Sequence, residues 1–228
     1  MKTKPIPAES AVSRRAFLRG AILPAIASLL FIPLFMGGCA TGPEAGGARV
    51  VEAAAPLEEA LSAQAGQVEA ASGALQKILA TSGDEMVAAH SAFLDVLAKV
   101  RDGSERLLER CARWREAARE NLAAWDAHQG AIQDESMRKT SAANRAAYAD
   151  RFAAALRSVE EALHAQTDAI RLLEDSRKFL EDNLTVATVK TARGDFNRAV
   201  ASAASGAAAL RRAAAGVHDF SAATTPGR

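Results

Sequence analysis

The sequence predicts an all-α fold, an elongated antiparallel coiled-coil-like bundle of about four helices, two of them long. Three observations favour this fold. After Pro56 the chain has no proline until Pro226, and proline is the residue that most strongly interrupts a helix. Alanine, the strongest helix former, is abundant, and no strand-like alternation of apolar and polar residues is evident. Apolar residues also recur in alternate steps of three and four, which is the heptad pattern of helices that pack side by side.

Residues 1–38 have the organisation of a targeting segment and not of a folded domain. A basic start is followed by a run without charge from Gly20 to Cys39. This run is just long enough to span a bilayer, but Pro24 and Pro33 interrupt it and disfavour a regular helix. We therefore expect residues 1–38 to be a cleavable signal peptide.

Two short motifs indicate how this segment is used. The stretch SRRAFLR resembles the twin-arginine export signal of bacteria, and its motif positions are held by Arg14, Arg15, Phe17 and Leu18 after a serine. The stretch MGGC resembles a lipobox, in which the cysteine, here Cys39, is lipidated and becomes the first mature residue. The general secretory route and an uncleaved membrane anchor are the alternatives.

The rest of the chain divides by composition. Residues 39–55 are rich in glycine, alanine and proline without a usable period, so we expect a flexible tether between lipid and domain. Residues 56–220 carry the heptad patterns and form the predicted helical bundle domain. Residues 221–228 are predicted to be a disordered tail.

Two long heptad patterns predict the two long helices, each of about 45–50 residues. The first runs through Phe93, Leu97, Val100, Ser104, Leu107, Cys111, Trp114, Ala118, Asn121 and Trp125. The second runs through Phe152, Leu156, Val159, Leu163, Gln166, Ile170, Leu173, Arg177, Leu180 and Leu184. In each pattern the residues face a partner helix, so Leu107 and Leu163 are predicted to be buried.

Two shorter patterns predict the flanking helices. One runs through Leu57, Leu61, Gln64, Val68, Ala71, Leu75 and Ile78, and the other through Phe196, Val200, Ala203, Ala207, Leu210, Ala214 and Val217. Breaks are expected at residues 81–85, 128–136 and 181–186, where glycine, polar or β-branched residues cluster. The pair Asp102-Gly103 lies inside an unbroken pattern, so we expect the helix to continue through it.

The charge of the chain argues against a nucleic-acid partner. The whole sequence has 28 basic and 27 acidic side chains, and five of the basic ones but a single acidic one lie in residues 1–38. The remainder therefore carries a formal charge of −3, without a basic patch for nucleic acid or anionic lipid. Attachment to a membrane would then depend on the acyl chains of the lipidated cysteine.

No arrangement of residues predicts catalysis, a metal site or a cofactor. Di-iron bundles use a glutamate three residues before a histidine on two helices, and only Glu161 and His164 have this spacing here. If Cys39 is lipidated, Cys111 has no partner, and its heptad position predicts burial and low reactivity. We expect no catalytic, metal-binding or cofactor-binding residues.

Two tryptophans and three polar residues occupy heptad positions. Trp114 and Trp125 are interpreted as core anchors, and the alternative is that Trp125 shows an edge to a partner. The polar residues Asn121, Gln166 and Arg177 are typical of positions that fix the register of packed helices. Arg177 would pair with a carboxylate of a facing helix or extend to solvent.

Residues 85–218 resemble a family of exported bacterial helical proteins that contain a domain of unknown function. The resemblance rests on Trp125 at the end of one long helix, on Met137-Arg138 and Ser141 at the start of the next, and on Asn183-Leu184 late in the chain. Glu181-Asp182 depart from the lysine and histidine that are usual in this family. The resemblance implies a helical fold and an envelope location, and it implies no activity.

These observations predict a non-enzymatic, lipid-anchored protein of the bacterial cell envelope that faces the periplasm and acts as a coiled-coil scaffold, spacer or adaptor. The alternative is a helical-bundle binding module that holds a hydrophobic ligand or cofactor. The expected partners are the membrane, through the N-terminal lipid, and another protein or a second copy of this chain, through the helices.

Overall fold

The structure, a computed structural model, describes residues 43–225. This part of the chain is all-helical, as predicted, and has five helices and no strand. The helices are α1 (Pro43–Ala80), α2 (Gly83–Ala131), α3 (Glu135–Asp182), α4 (Val186–Thr191) and α5 (Arg193–Thr224). The two long helices have 49 and 48 residues, which confirms the predicted lengths and corresponds to roughly 70 Å each.

The four longer helices form a bundle in which each one has two main neighbours. Helix α1 packs along α2 and α5, and α3 packs along α5. Helices α2 and α3 also meet, but over a much smaller contact than the other three pairs. A single core of buried apolar side chains runs through the bundle from Val50 to Phe220.

The heptad patterns predicted for α1 and α2 are confirmed. All seven predicted positions of α1 are buried. In α2 the predicted positions are buried except Ser104 and Trp125, which are partly buried. The helix continues through Asp102-Gly103, as expected, and Gly103 faces Gln64 of α1. The side-chain amide of Gln64 donates a hydrogen bond to the Val100 carbonyl at 2.9 Å, inside the core.

The heptad pattern predicted for α3 is wrong at every second position. Leu156, Leu163, Ile170 and Arg177 are only partly buried, so Leu163 does not occupy the core centre. The buried positions, each one residue earlier in the chain, are Ala155, Ala162, Ala169 and Ser176. The prediction chose the larger side chain of each pair, whereas the helix turns its small residues toward the core.

Helix α5 explains this preference for small residues, because it lies very close to α3. A Cβ atom added to Gly206 of α5 would lie 3.3 Å from the Ala165 carbonyl oxygen and 3.4 Å from the Ala169 Cβ. Leucines at the same positions of α3 would hold the two backbones apart. The half-buried leucines of α3 lie instead at the edge of the core.

The breaks between helices fall where the sequence predicts them. Residues 81–82 separate α1 from α2, and residues 132–134 separate α2 from α3. Asp134 caps α3, because its carboxylate accepts a hydrogen bond from the Met137 amide at 2.8 Å. After α3, Thr185 and Thr188 form a capping box that starts the short helix α4.

Both ends of the predicted bundle domain extend further than expected. Residues 43–55, predicted to belong to a flexible tether, are helical, and Val50 and Ala54 are fully buried. Their alanines favour a helix, and Pro56 is accommodated inside it, with its carbonyl accepting a hydrogen bond from Arg110 at 2.6 Å. Residues 221–224 were predicted to be disordered but complete α5, because Phe220 anchors the last turns in the core.

The burial of each side chain predicts how much its replacement by alanine lowers the stability of the protein. Leu107→Ala empties a fully buried site and should lower the free energy of unfolding by about 2–5 kcal/mol. Leu163→Ala, at a partly buried site, should cost less, and Glu116→Ala, at an exposed site, should change stability by less than about 0.5 kcal/mol. Denaturant unfolding of the three variants measures this order, and equal small effects would contradict the heptad packing.

Because α5 lies close to α3 at Gly206, a leucine there should lower stability, whereas a leucine at an uncrowded glycine should raise it. Gly206→Leu should destabilise the protein by about 1–3 kcal/mol, because the new side chain meets the backbone of α3. Gly73→Leu is the matched control. Gly73 lies inside α1 with open space around it, so the gain in helix propensity should stabilise the protein by up to about 1 kcal/mol. Thermal melts compare the two, and a stable Gly206→Leu protein would refute the close contact.

Candidate functional site

A cavity of about 850 Å³ lies at one end of the bundle. It is formed where α1 and α3 begin and where α2 and α5 end. Val51 contributes from α1, Asn121 and Trp125 from α2, Tyr148 from α3 and Thr224 from α5. The cavity has an opening to solvent and mostly apolar walls, so it has the size and character of a site for a small organic molecule.

Aromatic side chains fill the space between the helices at this end. Trp114 of α2 contacts Phe152 of α3 at 4.6 Å and Phe220 of α5 at 5.6 Å between ring centroids. Tyr148 contacts Phe220 at 5.5 Å and Trp125 at 5.9 Å. The distance between packed helices depends on the side chains at the contact. These rings fill the space between α2, α3 and α5 at this end, whereas small residues let α3 and α5 approach each other at Gly206.

The C-terminal part of α2 is fixed to the N-terminal part of α3 beside the cavity. The indole Nε1 of Trp125 donates a hydrogen bond to the Ser141 hydroxyl at 3.0 Å. Arg145 forms an ion pair with Asp126. These contacts orient the Trp125 ring as a cavity wall, and they join the two helices whose mutual packing is the least extensive.

Two buried polar side chains, Asn121 of α2 and Tyr148 of α3, lie beside the cavity. Asn121 is 2% exposed and Tyr148 is 3% exposed. Burial raises the pKa of the Tyr148 hydroxyl, and a hydrogen bond with the Asn121 side chain offsets part of this rise. The polar atoms of both residues have almost no accessible surface, so they are shielded from the cavity and contribute to the contact between α2 and α3.

The structure describes some of the predicted site residues and not others. Cys39 and the export-signal residues Arg14, Arg15, Phe17 and Leu18 lie outside the described residues. Cys111 is free and buried, as predicted, and burial raises the pKa of its thiol, which keeps the thiol protonated and unreactive.

The histidines do not converge on a site within residues 43–225. His164 and Glu161 are both exposed, and His218 lies 3.3 Å from Glu58 on the surface. In this part of the chain no group of three or more His, Cys, Asp or Glu side chains is arranged to hold a metal ion.

The tryptophans and the polar heptad residues have different surroundings from one another. Trp114 is a fully buried core anchor, as interpreted, whereas Trp125 is partly buried and lines the cavity. Gln166 is buried and has no hydrogen-bond partner among residues 43–225, and its backbone lies beside Gly206. Arg177 is partly buried and pairs with Glu174 and Glu181 of its own helix, which differs from the predicted pairing with a facing helix and from the alternative of extension to solvent.

Sequence reasoning missed the cavity, and the chain carries no clear signal for it. Large rings lie near both ends of the bundle, because Phe93, Phe179 and Phe196 are at the end away from the cavity. The heptad position of Asn121 predicts a residue that fixes register, and periodicity alone does not distinguish such a residue from one beside a cavity.

No helix in residues 43–225 has the length and apolar character needed to cross a membrane. No protein-family model, curated protein or solved structure matches the chain. The resemblance to exported helical proteins therefore stays a prediction.

The unpaired amide of Gln166 predicts that an apolar replacement stabilises the protein. Gln166→Leu removes two buried polar atoms that have no partner among the described residues, and it should raise the free energy of unfolding by about 1 kcal/mol or more. Gln64→Leu is the control, because its amide nitrogen donates to Val100 and only its oxygen is unpaired, so the gain should be smaller or absent. Chemical denaturation measures both, and a loss of stability for Gln166→Leu would mean that its amide is satisfied.

Proposed function

We propose that the bundle is a binding module that holds a hydrophobic ligand in the cavity at its end, on a lipid-anchored envelope protein that catalyses no reaction. The observation that carries this proposal is the cavity itself. Its volume, about 850 Å³, falls within the range of small-molecule sites, and its walls combine aromatic and aliphatic side chains with a few polar groups. Within residues 43–225 no group of His, Cys, Asp or Glu side chains is arranged to hold a metal ion, and the Cys111 thiol is buried.

The proposal includes an antiparallel, coiled-coil-like arrangement of the four longer helices. Contacts between α1 and α2 support it, because Pro56 contacts Arg110 while Gln64, later in α1, contacts Val100, earlier in α2. The other neighbouring helices show the same reversal, in the pairs Asp126–Arg145 and Arg115–Glu160, Glu58–His218 and Leu79–Arg193, and Tyr148–Phe220 and Phe179–Phe196. The heptad spacing of buried residues agrees with coiled-coil packing.

The position of the cavity fits a ligand that comes from a membrane. Gly47, which lines the cavity, is only eight residues after Cys39, and eight residues span at most about 28 Å. A lipid on Cys39 would therefore keep the open end of the bundle close to the bilayer. Export by the twin-arginine route, with Arg14 and Arg15 as its recognition residues, would carry the folded domain to the periplasmic face.

A scaffold or spacer is the second candidate function, and the length of the helices favours it. Helices of 49 and 48 residues extend the bundle by roughly 70 Å, which is more than a cavity of this size requires. The outer surface carries ion pairs, among them Arg115–Glu160 and Arg113–Glu109, and its exposed apolar side chains are few. Substitutions inside the cavity would leave the function of a spacer unchanged, so they distinguish a spacer from a binding module.

Binding of an apolar fluorescent probe tests whether the cavity holds a hydrophobic ligand. N-phenyl-1-naphthylamine should bind the purified protein in a one-to-one complex and gain fluorescence, because the cavity removes it from water. Ala147→Trp places a large ring in the cavity and should weaken binding about tenfold or more. Ala146→Trp, on the neighbouring exposed position of α3, is the matched control and should leave binding unchanged. Equal binding by both variants would refute the cavity as the site.

Replacement of Cys39 tests the anchor independently of the ligand. Cys39→Ser should abolish acylation and release the protein from membranes, because the acyl chains would supply most of the membrane affinity. Cys111→Ala is the control and should leave acylation intact, since that thiol is buried. Mass spectrometry of the mature N-terminal peptide decides the outcome. An unlipidated peptide that begins before Cys39 in the unmutated protein would contradict the proposal.

A further inference from the structure

The predicted lipid site lies a few residues before the part of α1 that lines the cavity. Helix α1 begins at Pro43, four residues after Cys39, and four residues span at most about 14 Å. Gly47 and Ala48, about one turn further along α1, line the cavity. A Cβ atom added to Gly47 would meet no atom within 4 Å, so this side of α1 borders open space. A hydrocarbon chain attached to Cys39 therefore has the reach to enter the cavity beside Gly47.

The walls of the cavity suit a hydrocarbon chain. Val51, Trp125 and Ala147 contribute apolar surface, and the volume is about 850 Å³. The charged side chains that line the cavity, Glu52 and Arg151, are exposed, so their charges stay hydrated. An acyl chain carries no polar group along its length, so its burial leaves no donor or acceptor of its own without a partner. This burial would contribute about 0.8 kcal/mol for each CH₂ group removed from water.

We infer that one acyl chain of the lipidated Cys39 occupies the cavity when the protein is not attached to a bilayer. This inference rests on the proposed function, because it needs both the lipid anchor and the binding cavity. A chain tethered a few residues from the cavity has an effective concentration in the millimolar range, so it competes strongly with a free ligand. In a bilayer or a detergent micelle the acyl chains lie in the surrounding apolar phase, and the cavity is free for its ligand. Attachment to the membrane would thus control access to the cavity.

A reversible alkyl chain on Cys39 tests this inference without the biosynthetic lipid. The chain from Cys39 onward forms one compact unit and contains all the helices of the bundle, so it is the protein used. Decyl methanethiosulfonate transfers an S-decyl group to a thiol as a mixed disulfide, and dithiothreitol removes it. Cys111 is buried, so Cys39 is the thiol that reacts, and the mass of the product checks for a single decyl group. The matched control, Cys39→Ser with Ser82→Cys, carries the same chain in the turn between α1 and α2, at the end of the bundle away from the cavity.

Decylation at Cys39 should weaken the binding of N-phenyl-1-naphthylamine about tenfold or more, because the tethered chain takes the place of the probe in the cavity. Reduction should restore binding, and decylation of the control should leave it unchanged. Decylation at Cys39 should also raise the melting temperature, since an occupied cavity stabilises the folded state. Ala147→Trp, which fills the cavity, should remove this rise.

The outcomes separate the inference from the proposed function. If the unmodified chain binds the fluorescent probe and decylation at Cys39 leaves its affinity unchanged, the inference is refuted while the binding function stands. An equal loss of affinity in the control would refute the inference in the same way, because the effect would then not depend on where the chain is attached. A native protein without lipid on Cys39 would also overturn the inference. If the unmodified chain does not bind the probe, the binding function fails, and the inference fails with it.

Discussion

The spacing between the helices, set by the size of the side chains at each contact, is the constraint on which the rest of the structure depends. At Gly206, α5 lies so close to α3 that an added Cβ atom would be 3.3 Å from the Ala165 carbonyl oxygen, and the alanines of α3 permit this approach. At the other extreme, Trp114, Phe152 and Phe220 require more room than this spacing allows. The cavity lies at the same end of the bundle as these rings.

This constraint also relates the stability of the protein to its proposed ligand. Val51 and Trp125 line the cavity and are only partly buried, so the open end covers less apolar surface than the centre of the bundle. A ligand that fills the cavity would cover these side chains and stabilise the fold. Binding energy and folding energy are then coupled through the same few residues at one end of the molecule.

Much of the fold could be predicted from the sequence, because heptad spacing and helix breakers act locally. The positions of Leu107, Trp114 and Leu210 in the core follow directly from this spacing. The burial of Ala162 in place of Leu163 could not be predicted, because it depends on how closely α5 approaches. The helix at residues 43–55 was missed for a related reason: its glycine-rich and proline-containing sequence is held by tertiary contacts of Val50 and Ala54.

The candidate site was the least predictable feature, because its residues are far apart in sequence. Asn121 and Tyr148 meet only through the turn that joins α2 to α3, and Val51 joins them from a third helix. Native mass spectrometry of the protein extracted from bacterial membranes tests the central claim most directly. We expect a non-covalent small-molecule adduct on the unmutated protein that is absent from the Ala147→Trp variant. An unmutated protein that carries no adduct, or an adduct that Ala147→Trp retains, would contradict the claim that this cavity holds a membrane-derived ligand.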